Sequence, residues 1–298
     1  MRENVEFKTE DGVTLRGWWY PGGAGGNGAT VVMAHGFSAT KEMYLDDFAA
    51  FFSEAGLNVL VYDHRNLGES DGQPRQEVDP WQQVRDYRDA ITWVGDRDDV
   101  DAERIGIWGS SYSGGHVLMV AALDRRVKCV VSQVPLVSGG TSASRLVRSD
   151  ALVAMRGMFD EDRRARLAGG APGMLPVVAE NEGDPAVLPT EDSTDFFLNL
   201  DPARKANWRN EVTLRSVEMF TEYEPGDYVA RICPTPLLIA AARDDVLTAF
   251  DLTAAVYEKA LHPKKLVVLP GGHFEAYTGE AFAISAPQQR DWFLTHLT

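Results

Sequence analysis

A serine at a tight turn, a late pair of aspartates and a histidine after two glycines stand in that order along the chain. Such a set suits nucleophilic acyl chemistry. The serine lies in Ile105-Gly106-Ile107-Trp108-Gly109-Ser110-Ser111-Tyr112-Ser113-Gly114-Gly115-His116. A short apolar run ends at Gly109, serines follow, and more glycines lead into an apolar, helix-like segment. That is the layout of a nucleophile elbow, a strained strand-to-helix turn that holds a serine hydroxyl out. N–H groups at the start of the helix then face the site and favour developing negative charge. The turn demands small residues two positions either side of the nucleophile. Ser110 fails, with Trp108 and Tyr112 in those places. Ser111 and Ser113 both pass. Position favours Ser111, because the apolar run stops at Gly109 and Ser113 already falls in the helix. A glycine-serine loop without chemistry is the alternative that this motif alone leaves open.

The hydroxyl needs an adjacent base, itself oriented by a third group. Of the six histidines, His273 follows the last strand after Gly271-Gly272 and is the best base. His35 and His64 sit in tight turns and read as structural, as does His116 inside the elbow helix. His262 and His296 fall near helix ends, where a positive charge is favourable. For the orienting acid, Asp244 and Asp245 both follow an apolar strand, and the order Ser, Asp, His is that of this elbow type. The oxyanion needs two fixed donors. These are the backbone N–H of Tyr112, directly after the nucleophile, and that of Phe37, after the strand ending at Ala34.

Distant segments must be brought together to place these groups. Residues 5–8 and 13–20 alternate around Asp11-Gly12, which predicts a hairpin. Residues 21–28 are a glycine-rich loop. Residues 29–34 are a continuous apolar run, the kind buried on both faces of a parallel sheet. A helix over 44–55 stops at Gly56, and a strand over 58–62 ends in Asp63-His64-Arg65. Residues 79–94 carry Trp81, Val84, Tyr87, Ile91 and Val94 at helical intervals. The acidic stretch 96–103 reads as a solvated loop. The elbow strand, a helix over 112–123 and a strand over 127–131 follow. Strands alternating with helices predict the α/β class, with a doubly wound, mostly parallel sheet.

From 137 to 230 the rhythm breaks. Residues 145–167 are helical and charged, 168–188 are rich in Gly, Pro and Ala, and 196–220 are again largely helical. So long a stretch without strands is more than a connection. It reads as a helical cap insertion that divides the core into residues 1–136 and 231–298. Its Met155, Met158, Phe159, Met174, Phe196, Phe197, Trp208 and Phe220 either line an apolar pocket or form the insertion's own core. The rhythm resumes with a strand over 237–241, a helix over 250–261, a strand over 265–269 and a last helix over 287–297.

The 298 residues carry a formal net charge of −15, with a sequence pI near 4.8. That argues against nucleic acid or an anionic membrane as partner, since both need a basic surface. No apolar run approaches membrane-spanning length, and the acidic start of the chain lacks the apolar core of a signal peptide. Cys129 and Cys233 lie far apart, without a disulfide framework or zinc spacing, which fits buried thiols in a reducing compartment. A cytoplasmic location is expected, with no metal or organic cofactor.

Over nearly its whole length the chain resembles the α/β-hydrolase superfamily. The likeness rests on His35-Gly36-Phe37, Asp63-His64-Arg65-Asn66-Leu67-Gly68-Glu69-Ser70-Asp71-Gly72, the elbow, Asp245-Val246-Leu247-Thr248 and Pro270-Gly271-Gly272-His273. More narrowly, the elbow looks like that of the dienelactone-hydrolase-like and acyl-peptidase-related branch. That branch has tyrosine directly after the nucleophile and glycine three residues after it, which favours Ser111 over Ser113. The Asp-x-x-Thr spacing matches the family's acid at Asp245. Ala249 stands where proline usually follows, which keeps Asp244 as the second candidate. Residues 63–72, with Pro74-Arg75 and Asp79-Pro80, are also similar to polyketide thiohydrolases and transferases.

The expectation is a serine hydrolase acting on a small acyl ester or thioester, free or held on a carrier, through Ser111, His273 and Asp245. An acyltransferase would use the same residues. An amide or peptide hydrolase would need a site for the peptide's amino end, which the sequence does not reveal. A binding protein of the same fold would typically have lost one of the three.

Overall fold

Apolar runs and amphipathic segments assemble into one eight-stranded sheet in the computed structural model, which describes residues 2–23, 26–181 and 183–297. Part of the glycine-rich loop, at Ala24 and Gly25, lies outside the described residues. β1 (Glu3–Lys8) and β2 (Thr14–Tyr20) pair antiparallel about a turn in which Gly12 takes φ 86. β3 (Thr30–Ala34) leads to α1 (Leu45–Glu54), and β4 (Asn58–Tyr62) to α2 (Pro80–Gly95). Asp79 caps α2 by accepting from the Trp81 and Gln82 N–H groups, and Pro80 fills the first turn, where no N–H is needed. β5 (Ile105–Ser110) runs into α3 (Tyr112–Leu123), which is followed by β6 (Val127–Gln133).

Between β6 and the next sheet strand lie α4 (Gly139–Leu146), α5 (Ser149–Leu167), β7 (Met174–Leu175), α6 (Glu191–Asn199), β8 (Val212–Thr213) and α7 (Leu214–Glu222). A 3-10 turn, Pro225–Arg231, closes this stretch. β9 (Leu237–Ala242), α8 (Phe250–Lys259), β10 (Lys264–Leu269) and α9 (Gly279–Leu297) complete the chain. The sheet order is β1-β2-β4-β3-β5-β6-β9-β10, parallel from β4 onward. α1 and α9 cover one face around Phe48, Phe52, Trp108 and Phe293, while α2 and α3 cover the other. No helix among the described residues is long and apolar enough to cross a membrane.

Register places the chemistry. Ala34 stands opposite Gly109 on one side and Tyr62 on the other, Ser110 opposite Gln133, and Leu269 opposite Ala242. The segments after β3, β4, β5, β9 and β10 therefore emerge along one edge, at the carboxyl ends of parallel strands.

Four expectations need correction. The helix expected over 145–167 is two helices, because Val147 is extended (φ −116, ψ 134). The break lets α4 pack on α7. Residues 200–211, expected to be helical, are mostly turns. Asn210 there donates to the Val178 carbonyl and accepts its N–H, the bonds a neighbouring strand would make. The stretch expected to lack strands also holds the short β7–β8 pair. The last helix begins at Gly279, not Pro287, which sits inside it. Burial of Ala281, Ser285, Ala286, Gln289 and Phe293 offsets the hydrogen bond that proline removes.

Candidate active site

Ser111 joins β5 to α3 with φ 58 and ψ −115. A non-glycine residue in such a conformation costs about 1–3 kcal/mol and persists only where its surroundings over-determine it. Here the Ser111 N–H donates to the Gln133 carbonyl (2.9 Å), and its carbonyl accepts from Leu136 (2.9 Å) and Gly115 (3.2 Å). A Cβ on Gly109 would lie 2.1 Å from the Ser113 carbonyl oxygen, which is why that position must be bare.

The Ser111 hydroxyl lies 3.0 Å from His273 Nε2, and His273 Nδ1 lies 2.8 Å from Asp245 Oδ2. Asp245 Oδ1 accepts from the Leu247 and Thr248 N–H groups at 2.9 and 2.7 Å, while Thr248 Oγ1 lies 2.8 Å from Oδ2. Burial pushes the Asp245 carboxyl up, but His273 and the Thr248 donors outweigh it and hold it below its ordinary value. It is therefore ionised at neutral pH. The stability it contributes is present above the unfolded-state value and is lost as pH falls through the lowered one. An ionised carboxylate only accepts, so His273 carries its proton on Nδ1 and leaves Nε2 free for the serine. Asp244 is exposed, and its backbone N–H donates to the Gly271 carbonyl. Of the two aspartates, Asp245 is the one in contact with the imidazole.

The other two serines are occupied. Ser110 Oγ lies 2.6 Å from the Tyr277 hydroxyl. Ser113 Oγ donates to the His35 carbonyl at 2.5 Å and accepts from His64 Nε2 at 2.8 Å. His35 Nε2 accepts from the His64 N–H, and its Nδ1 donates to the Gly36 carbonyl. His116 Nδ1 meets the Tyr223 hydroxyl and Nε2 meets Gln83 Oε1. Burial lowers the pKa of all three histidines, that of His116 to about 3, so they are neutral struts beneath the elbow.

The segment after β3 runs hard against Ser111. A Cβ on Gly36 would stand 2.9 Å from Ser111 Cβ. Residues 36–39 form a turn in which Ser38 takes φ 55 and the Ala39 N–H donates to the Gly36 carbonyl. The N–H groups of Phe37, within that turn, and of Tyr112, first in α3, donate to no protein group among the described residues.

Residues 11–275 match the family model described as X-Pro dipeptidyl-peptidase (S15 family). The chain belongs to that family. It is 32% identical to a thiohydrolase of Eupenicillium brefeldianum, over 97% of this chain and 92% of the relative. It is 34% identical to a polyketide transferase of Stachybotrys chlorohalonatus, over 94% and 92%. The crystal structure of the α/β-hydrolase GrgF from Penicillium sp. sh18 superposes with a TM-score of 0.87 at 30% identity, covering 100% of this chain and 99% of that one. This family member is an α/β-hydrolase and an enzyme of the serine-hydrolase type.

In this α/β-hydrolase Ser111 and His273 open on a cavity of about 630 Å³, part of it open to solvent. Leu146, Leu188, Phe196, Phe197 and Phe220 line it from the stretch between β6 and β9, and Phe37 and Met43 from the core. No Asp, Glu, Lys or Arg among the described residues lines it. Of the eight apolar residues weighed from sequence as pocket or insertion core, only the three phenylalanines at 196, 197 and 220 reach this cavity. Trp208 stacks behind Phe197 (5.1 Å, 19°), and Phe159 is buried in the core. Met158 and Met174 point outward, 43% and 42% exposed. Met155 faces a different cavity.

Glu42, Asp63 and Glu69 bring their carboxylates together as ligands to a cation would. The Lys41 ammonium occupies that position, 2.7 Å from Asp63 and Glu69 and 3.0 Å from Glu42. Burial opposes its charge, but the acids outweigh burial and raise its pKa. Asp63 also accepts the Lys41 N–H at 2.8 Å, so the end of β4 holds the segment that carries Phe37. Asp63 stands in a motif visible in sequence, but its pairing with Lys41 was not legible, since the two residues follow different strands. Lys41→Met strands the buried Asp63 carboxylate and is expected to lower stability by about 3–5 kcal/mol, read from urea unfolding. A loss within about 1 kcal/mol, the range of exposed pairs, would show the ammonium to be dispensable.

Proposed function

We propose that the protein hydrolyses esters or thioesters of an apolar acid through an acyl-enzyme on Ser111, with His273 as base and Asp245 as its orienting acid. The observation that carries this reading is the hydrogen-bonded Ser111–His273–Asp245 line opening directly on an apolar cavity without charged side chains. His273 takes the hydroxyl proton as Ser111 Oγ attacks the acyl carbonyl. The N–H groups of Phe37 and Tyr112 hold the oxyanion, each worth about 3–4 kcal/mol in the transition state. The carbonyl re-forms as the C–O or C–S bond breaks, and His273 returns its proton to the leaving group. Water, deprotonated by the same imidazole, then releases the acid.

The activity in the family's description fits less well, because releasing an N-terminal dipeptide requires a partner for an ammonium group. No carboxylate among the described residues lines the cavity. The relatives named thiohydrolase and polyketide transferase favour an acyl thioester, free or held on a carrier, and acyl transfer to an alcohol or amine is the second reading. The residues between β6 and β9 supply much of the cavity wall, which supports reading 137–230 as a cap over a core of 1–136 and 231–298. Two free thiols suit a cytoplasmic location.

Purified protein is expected to turn over short-chain acyl thioesters and aryl esters and to leave an X-Pro dipeptide anilide intact. Faster release from the dipeptide would overturn the proposal. Product appearing as a new ester, when an alcohol acceptor competes with water, would favour transfer.

A further inference from the structure

A second cavity, of about 440 Å³ with part of it open to solvent, lies within the stretch between β6 and β9. Ala143 and Leu146 of α4, Met155 of α5, Leu175 of β7 and Val217 and Phe220 of α7 form most of its wall, which carries no charged side chain among the described residues. Leu146 and Phe220 line this cavity and the one at Ser111 alike. The two spaces thus adjoin at these two residues.

We propose that the second cavity receives the distal end of a long apolar acyl chain whose carbonyl lies at Ser111, and that Leu146 sets how long a chain is admitted. The inference rests on the acyl-hydrolase reading above. The lining chemistry selects the ligand, since a polar group entering this space would lose its hydrogen bonds to water with little to replace them. Phe220 is the poorer gate. It stacks on Tyr112 (5.8 Å, 9°) and meets Phe37 edge-on (5.7 Å, 83°), so moving it would disturb both oxyanion donors. Leu146 is the last residue of α4 and only half-buried, free of that constraint.

The test measures kcat/KM for straight-chain p-nitrophenyl esters from butyrate to palmitate, each below its critical micelle concentration. It compares wild type, Leu146→Ala, and Leu146→Ala combined with Ala186→Phe, a substitution at another residue lining the second cavity that refills it. The single variant is expected to raise the long-to-short ratio by about fourfold for each further methylene admitted. The double variant is expected to bring the ratio back down. An unchanged ratio in the single variant, or an equal rise in the double, overturns the inference. Should Leu146→Ala not fold, Leu146→Val is read the same way with a smaller step. Ser111-dependent hydrolysis of butyrate with no chain-length response defeats this inference alone. Absence of hydrolysis across the whole series defeats the acyl-hydrolase reading.

Discussion

Ser111→Ala is expected to lower ester turnover by about a millionfold, as loss of the nucleophile does in other serine hydrolases. Covalent labelling by a fluorophosphonate should vanish with it. Neither neighbouring serine can take over. Ser110 is held by Tyr277, and Ser113 is locked between the His35 carbonyl and His64. The fold should survive, because the bonds that anchor residue 111 use its backbone N–H and carbonyl, which alanine keeps. Intact-protein and peptide mass spectrometry of the labelled wild type should place one adduct on Ser111. The adduct should be lost in His273→Ala as well, since the hydroxyl is unreactive without its base. An adduct on Ser113, or near-normal turnover by the alanine variant, would end the assignment.

Asp245→Asn is expected to cost about 10⁴-fold in kcat, with the protein folded. The reason lies in which oxygen does what. Oδ1 accepts two backbone N–H groups, from Leu247 and Thr248, so the amide oxygen of asparagine must take that place. The NH₂ then faces His273 Nδ1 and donates to it. An imidazole that accepts at Nδ1 carries its proton on Nε2 and cannot take one from Ser111. Asp244→Asn, at an exposed side chain, should stay within a few-fold of wild type. Kinetics of the two variants side by side decide the matter. An equal loss in both, or a larger one for Asp244→Asn, would shift the acid by one residue.

The legible part of the fold is the part whose signals are local. Asp11-Gly12 between alternating strands announces the hairpin, and glycines before and after Ser111 mark the end of β5 and the start of α3. Ser111 and His273 could be singled out because each follows an apolar strand, whereas that signal fitted Asp244 and Asp245 alike and only the family's Asp-x-x-Thr spacing preferred Asp245. A parallel sheet brings the ends of such strands to one edge. What stayed hidden depends on partners far away in the chain. Nothing near Lys41 announces that Asp63 awaits its ammonium across two strands. Thr248 was visible as a spacing, but its two bonds to Asp245 were not. Periodicity also could not tell which side of α5 meets protein. Met158 faces water while Leu146 and Leu188, never singled out, line the cavity. Asn210, a polar residue in a stretch that reads as helical, makes strand-like bonds to Val178 instead.

The absence of charge around the reacting serine also bears on how a turnover ends. An ester enters as a neutral molecule that the cavity wall can desolvate at little cost. The acid formed from it ionises, and a carboxylate among phenylalanine and leucine side chains, close to the buried Asp245 anion and with only the Phe37 and Tyr112 N–H groups and His273 as partners, is a worse tenant than its parent. The same wall that retains the reactant is therefore expected to hold what the reaction makes less tightly.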